Sequence, residues 1–262
     1  MTDALVQARV DDGVAVLTLT DPPANCYSYD MMRALDAAVL DARMDESVHV
    51  IVLTGAGGKF FCAGADIRML ESVTPAFKYA FCLHANETLQ RLEQTPKLVI
   101  AAINGHCVGG GLEVAMACDL RLARKDGGKI GLPEVALGVL PGTGGTQRLL
   151  RLVGRAKALE LMIEGRTFGF DEALGLGLLT RVVEGDDFMG QVLTYARGFC
   201  PPAKAALAVG RIKRAVVSGA EIPFAEALAL ERELQQQLFT SADAREGLAA
   251  YLEKRPPRFA GR

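Results

Sequence analysis

Leu98-Val99-Ile100-Ala101-Ala102-Ile103-Asn104-Gly105-His106-Cys107-Val108-Gly109-Gly110-Gly111-Leu112-Glu113 decides how this chain is read. Leu98–Ile103 is an unbroken apolar run that stops at Asn104-Gly105, so it reads as a short buried strand. Gly109-Gly110-Gly111 follows and opens a helix predicted over Leu112–Cys118. Each glycine costs roughly 0.5–1 kcal/mol relative to Ala in regular structure. A plain turn does not need three. They let the backbone come close to a ligand and leave N–H groups bare at a helix mouth. Glu113 then sits in the first turn of that helix.

The same alternation runs outward from this stretch. Val14–Leu19 is a β-branched run closed by Asp21-Pro22-Pro23 and reads as a strand. Asp30–Ala42 places Met31, Ala34, Leu35, Ala38 and Val39 at helical spacing. His49–Thr54 is another buried strand ending at Gly55. Pro75–Gln94 is a long helix with proline in its first turn. Short helices follow over Thr146–Val153, Ala156–Ile163 and Asp171–Leu174, with a last strand over Leu178–Val183. From Pro201 the chain is almost wholly helical, over Ala203–Val217, Phe224–Leu238 and Ala242–Glu253. Strands alternating with helices give an α/β fold class. The expected organisation is an α/β core over residues 1–195 and a helical region over 196–262. The apolar face Ala227, Leu230, Leu234 and Leu238 must be covered by the core or by another subunit.

The totals narrow the function. The chain has 262 residues, half of them apolar, with Lys+Arg 29 against Asp+Glu 31 and a net charge of −2. No broad basic field exists for nucleic acid or an anionic membrane. Met1-Thr2-Asp3-Ala4 has neither the charge nor the apolar run of a secretory signal. No apolar run approaches the roughly 20 residues that span a bilayer. Cys26, Cys62, Cys82, Cys107, Cys118 and Cys200 form no CxxC pair, and His49, His84 and His106 have no metal-ligand spacing. The cysteines read as reduced, mostly buried thiols of a cytoplasmic protein.

A second glutamate stands in Gly131-Leu132-Pro133-Glu134. A second small-residue loop, Phe60-Phe61-Cys62-Ala63-Gly64-Ala65-Asp66, follows the His49–Thr54 strand, with Asp66 suited to cap a helix. One N–H from this loop and one from the glycine triplet can converge on a single oxygen and stabilise a developing oxyanion. Glu113 alone fits a helix-dipole role, and Glu134 alone fits a solvated surface residue. Together with two oxyanion donors they suggest acid/base chemistry. Gly142-Thr143-Gly144-Gly145-Thr146 lacks the Gly-Lys-[Ser/Thr] ending of a phosphate loop and reads as a turn that supports Glu134. No GxSxG elbow exists. Absence of Trp argues against a sugar site built on two carboxylates. Cys62 reads as core rather than nucleophile.

Phe61–Asp66, Ala102-Ile103-Asn104-Gly105, Gly109–Glu113, Pro133-Glu134, Leu140–Leu149 and the tail Glu253–Phe259 together resemble the crotonase (enoyl-CoA hydratase/isomerase) superfamily. The resemblance implies a spiral of ββα units followed by a C-terminal helical trimerisation region, in a trimer or dimer of trimers. It implies an acyl-coenzyme A thioester as substrate and partner, with coenzyme A entering as part of the substrate and no separate cofactor or metal. By the same resemblance the thioester oxygen meets the N–H groups of Ala65 and Gly110. Ala63, Ala65, Asp66, Ile67, Arg68 and Cys26 line the coenzyme path, and Phe259 approaches it from the tail. Glu113 and Glu134 occupy the places of the two hydratase glutamates, whereas isomerases of the family often use one, at the Glu134 place. Leu132, where a polar residue is common, is expected to dry the site and raise the Glu134 pKa. Met69, Leu70, the Pro75–Gln94 helix, Leu112 and Leu140 are expected to line an apolar acyl pocket.

Overall fold

A computed structural model describes residues 4–262, so the reading of Met1–Asp3 lies outside the described residues. The elements begin with β1 (Val6–Asp11), β2 (Val14–Leu19), α1 (Tyr29–Met44), β3 (Val50–Gly55) and β4 (Phe60–Cys62). Then come α2 (Ile67–Ser72), α3 (Pro75–Gln94), β5 (Leu98–Ile103), β6 (His106–Val108), α4 (Gly110–Met116), β7 (Leu120–Arg124) and β8 (Lys129–Gly131). A 3-10 helix (Glu134–Leu137) leads to α5 (Gly145–Val153), α6 (Arg155–Glu164), β9 (Thr167–Gly169), α7 (Phe170–Gly175) and β10 (Arg181–Val183). Four helices close the chain: α8 (Phe188–Arg197), α9 (Ala206–Gly219), α10 (Phe224–Phe239) and α11 (Ala242–Leu252).

Two sheets share the strands. The larger has the order β1-β2-β3-β5-β7-β10 and is parallel beyond the β1–β2 hairpin; the smaller has the order β4-β6-β8-β9. The chain steps from one to the other: β3 to β4, β5 to β6, β7 to β8, each step followed by a helix or helical turn. This is the ββα spiral. Asn104 fixes one of the steps, because its Nδ2 donates to Gly55 O (2.8 Å) and Gly57 O (2.6 Å).

Parallel strands covered on both faces need apolar side chains on both. In β3, Ile51 and Leu53 enter the main core with α1 and α3, while Val50 and Val52 face a second core with Phe188, Val192 and Ala196 of α8. In β5, Val99, Ala101 and Ile103 take the first side and Leu98, Ile100 and Ala102 the second. Helix α8 therefore belongs to the second cover of the sheet and runs across residue 195. Further on, α9 is pinned to the sheet by a buried ion pair, Lys213 Nζ to Asp119 Oδ2 at 2.8 Å. Leu234 of α10 is buried, whereas Phe239, Leu248, Tyr251 and Leu252 are exposed.

Among the described residues no helix is long and apolar enough to cross a membrane. All six cysteines are free.

Candidate active site

The step from β5 through β6 delivers the glycine triplet to the mouth of α4. Gly109 has φ +55, a conformation L side chains rarely adopt. A Cβ on Gly111 would lie 2.0 Å from Cys62 O, so the triplet lies against the loop that follows β4. That loop runs Ala63-Gly64-Ala65. Its Gly64 N–H faces the Cys62 sulfur (3.4 Å), and the position of a Cβ on Gly64 is 3.1 Å from Gly110 N. Among the described residues neither the Ala65 N–H nor the Gly110 N–H has a hydrogen-bond acceptor. Both residues line one cavity of about 520 Å³, together with Ala63, Glu113 and Glu134. The two small-residue loops and the two glutamates thus meet around one space.

The two carboxylates differ in surroundings. Glu113 is 2 % exposed. Its Oε1 accepts from the N–H groups of Thr143 and Gly145, each at 2.7 Å. Burial pushes its pKa up, and these two N–H groups, the Arg148 charge and the Thr143 hydroxyl pull against that rise. Glu134 stands at the start of the 3-10 helix with its Oε2 buried and without a partner. Burial first, and the neighbouring Glu113 charge last, raise its pKa to about 7; its own backbone N–H opposes the rise. A carboxyl near 7 is half protonated at neutral pH, which suits proton exchange.

The Gly142–Thr146 turn therefore does not support Glu134, as expected from its sequence, but Glu113. Helix α5 begins against α4, so the bare N–H of its first residue, Gly145, and that of Thr143 just before its cap point at Glu113. Leu132 is buried in the core and is not part of the cavity wall. The apolar surroundings of Glu134 come from Pro133, Leu137, Val139 and Leu140.

The other expected residues distribute as follows. Asp66 caps α2, its Oδ1 accepting from Arg68 N at 2.9 Å, and Ile67 reaches the cavity. Arg68 is exposed and Cys26 is half-buried beside Asp21 and Asp66; neither lines the cavity. Phe259 lies apart, in a cleft of about 370 Å³ with Leu238, Ala244 and Leu248. Leu70, Leu140 and Cys82 of α3 line the cavity, whereas Leu112 turns into the core and Met69 packs at its edge. Cys62 is buried and its thiol is pushed up to about 12, so it is no nucleophile at neutral pH.

The wall also contains Leu137, Val139 and Thr143, which the sequence did not point to, and Tyr27, the neighbour of Cys26; Lys78 lies on the helix that was expected to line the pocket. Tyr27 carried a visible signal, an aromatic in Asn25-Cys26-Tyr27 where the hydratases this chain resembles often have Leu or Met. Thr143 carried none, because its contact with Glu113 spans 30 positions of chain.

The family described as Enoyl-CoA hydratase/isomerase matches residues 9–262. A short-chain-enoyl-CoA hydratase of Clostridium acetobutylicum is 38 % identical over 92 % of both chains. A crotonyl-CoA hydratase of Syntrophomonas wolfei is 36 % identical over 95 % of both. The crystal structure of an enoyl-CoA hydratase from Geobacillus kaustophilus HTA426 superposes with a TM-score of 0.97 at 44 % identity, covering 100 % of this chain and 98 % of that one. The match of sequence and fold over nearly the full length places this chain in the enoyl-CoA hydratase/isomerase family.

Proposed function

We propose that this enzyme adds water reversibly across the 2,3 double bond of a 2-enoyl-CoA thioester. One observation carries the reading: two carboxylates in unlike surroundings and two unpaired N–H groups share one cavity. The thioester oxygen accepts from Ala65 N and Gly110 N, which draws electron density from the double bond and makes Cβ electrophilic. Glu113, its carboxylate held by the N–H groups of Thr143 and Gly145, acts as the base and takes a proton from water as the oxygen attacks Cβ. Glu134, protonated, helps hold that water and gives its proton to Cα. Atoms balance: OH goes to Cβ, H to Cα, and proton exchange resets the two carboxyls.

Ala63 and Ile67 lie on the cavity wall and line the start of the coenzyme path. Asp66, Arg68 and Cys26 flank it outside, toward the coenzyme end. Phe259 serves a coenzyme moiety across a subunit boundary. The exposed Phe239, Leu248, Tyr251 and Leu252 support a homo-oligomer, a trimer or dimer of trimers, assembled through the C-terminal helices. Leu70, Leu137, Val139 and Leu140 favour a short-to-medium apolar acyl chain.

The test is loss of the conjugated thioester absorbance on mixing the protein with crotonyl-CoA. Glu113→Gln and Glu134→Gln are each expected to slow it by at least about a hundredfold. Near-native turnover in either variant overturns the role given to that glutamate. A protein that binds crotonyl-CoA without hydrating it is to be tried on a 3-enoyl-CoA, the substrate of the isomerase reading.

A further inference from the structure

Tyr27 touches both small-residue loops of the site and the Thr143 that holds Glu113. Its backbone pairs with the Gly64–Asp66 loop: Tyr27 N donates to Gly64 O (2.9 Å) and Asp66 N donates to Tyr27 O (3.1 Å). Its ring lies against the other loop. A Cβ on Gly110 would fall 2.3 Å from Tyr27 Oη and 2.5 Å from its Cε1. Its hydroxyl is 3.0 Å from Thr143 Oγ1, and Thr143 N holds Glu113. The ring also packs against Phe81 of α3, at 5.9 Å between centroids. The segment that carries it is anchored by the buried Asn25, whose Nδ2 donates to Ala56 O and Phe60 O at 3.0 Å each. Tyr27 itself is 3 % exposed.

A packing side chain needs none of this convergence. A Leu at this position would leave the edge of Gly110 uncovered and could not reach Thr143 with a polar atom. We propose that Tyr27 is a positioning residue, a clamp that sets the spacing between the Ala65 and Gly110 N–H groups and braces Thr143 behind Glu113. The inference rests on the hydratase reading of the cavity. Burial and the nearby Glu113 charge hold the phenol well above its ordinary pKa of 10, so it keeps its proton. It can then donate to Thr143 Oγ1 and leave the Thr143 hydroxyl proton for the Glu113 carboxylate.

Two variants separate the ring from the hydroxyl. Tyr27→Phe keeps the wedge against Gly110 and removes the bond to Thr143. It is expected to lower kcat for crotonyl-CoA about threefold to tenfold, with KM unchanged, as for loss of one ordinary hydrogen bond in the transition state. Tyr27→Leu removes both and is expected to lower kcat about a hundredfold, as for a misplaced oxyanion donor. The spectroscopic readout is the infrared carbonyl stretch of carbonyl-13C butyryl-CoA, a saturated thioester that binds without reacting. The native protein and Tyr27→Phe should shift this band equally to lower frequency, and Tyr27→Leu should lose most of the shift. A clamp that acts on stability alone would lower Tm and move neither kcat nor the band. A native kcat in Tyr27→Phe, or a native carbonyl frequency in Tyr27→Leu, overturns the inference while leaving the hydratase reading intact. If the native protein shifts the band but hydrates nothing, the hydratase reading fails and the infrared arm alone decides on Tyr27. A native protein that binds no acyl-CoA overturns both.

Discussion

Glu134→Gln should make the protein more stable relative to the native chain as pH rises, while it removes activity. Glu134 has its pKa raised to about 7 in the folded protein, against an ordinary 4.5, chiefly by burial. A carboxyl raised in the folded state binds its proton more tightly there than in the unfolded chain. The folded state is therefore favoured at low pH and loses that advantage as pH climbs from 4.5 through 7, with nothing further lost above. At about 1.4 kcal/mol per pH unit the whole loss is roughly 3 kcal/mol, of which about 2.5 kcal/mol falls between pH 5 and pH 8. Glutamine does not titrate, so the variant escapes this loss.

The assay is thermal or urea unfolding of native and variant protein at pH 5 and pH 8, at one protein concentration. A buried, poorly partnered amide costs both measurements alike, so the comparison is between pH values and not between absolute stabilities. The gap between variant and native stability should widen by about 2.5 kcal/mol from pH 5 to pH 8. For a domain of this size that is a Tm difference of about 5–10 °C. Parallel pH curves for the two proteins would refute the argument, because they would mean that Glu134 is solvated and titrates as in the unfolded chain.

The same carboxyl shapes the rate. If Glu134 must hold a proton, kcat/KM for crotonyl-CoA should fall as pH rises through about 7, and a flat profile between pH 6 and 8 would contradict its acid role. Gly64 has φ +96 and a Cβ there would come within 3.1 Å of Gly110 N. Gly64→Ala should therefore push the two loops apart and lower kcat about a hundredfold, with the far-UV CD spectrum unchanged. Lys213→Met removes the cation from a buried pair and leaves Asp119 with the Val99 N–H but no ion-pair partner; unfolding should cost about 3–5 kcal/mol less. That deficit should shrink toward pH 4, where Asp119, its pKa already raised by burial, can take a proton.

The unlike treatment of two identical side chains explains how the cavity can run an addition in which one group takes a proton and another gives one. Glu113 sits where α5 begins and has two backbone donors on one oxygen. Glu134 opens the 3-10 helix that follows a three-residue strand and has a buried oxygen with no partner. Helix geometry supplies one donor, Gly145, because first-turn N–H groups have no partner inside their own helix, and the turn that leads into the helix supplies the other, Thr143. A carboxylate without such donors resists ionisation. The difference in surroundings therefore follows from where each glutamate falls in the fold, not from its residue type.

This also marks what could be read from the sequence. Leu98–Ile103 and Pro75–Gln94 were legible to the residue, because their boundaries carry local signals: Asn104-Gly105 after one, and Thr74 with Pro75 before the other, Thr74 Oγ1 accepting from Phe77 N. Helix α8 was legible and missed; Asp187 caps it, and Phe188, Val192 and Ala196 recur at helical spacing. The three-residue strands β4, β6, β8 and β9 were not legible, since they exist only through pairing with segments far along the chain. β7 was hidden by Arg121, which reads as surface but is buried, donating to Leu178 O at 2.8 Å and Cys118 O at 2.7 Å. Both glutamates and both glycine loops were legible, because their cost to the chain is local and has to be explained locally. Their holders were not. Thr143 and Gly145 reach Glu113 across 30 and 32 positions, and Tyr27 reaches Thr143 across 116. A side chain that must be exposed to react announces itself by type and spacing, whereas one that aims it can be any residue the fold brings into contact.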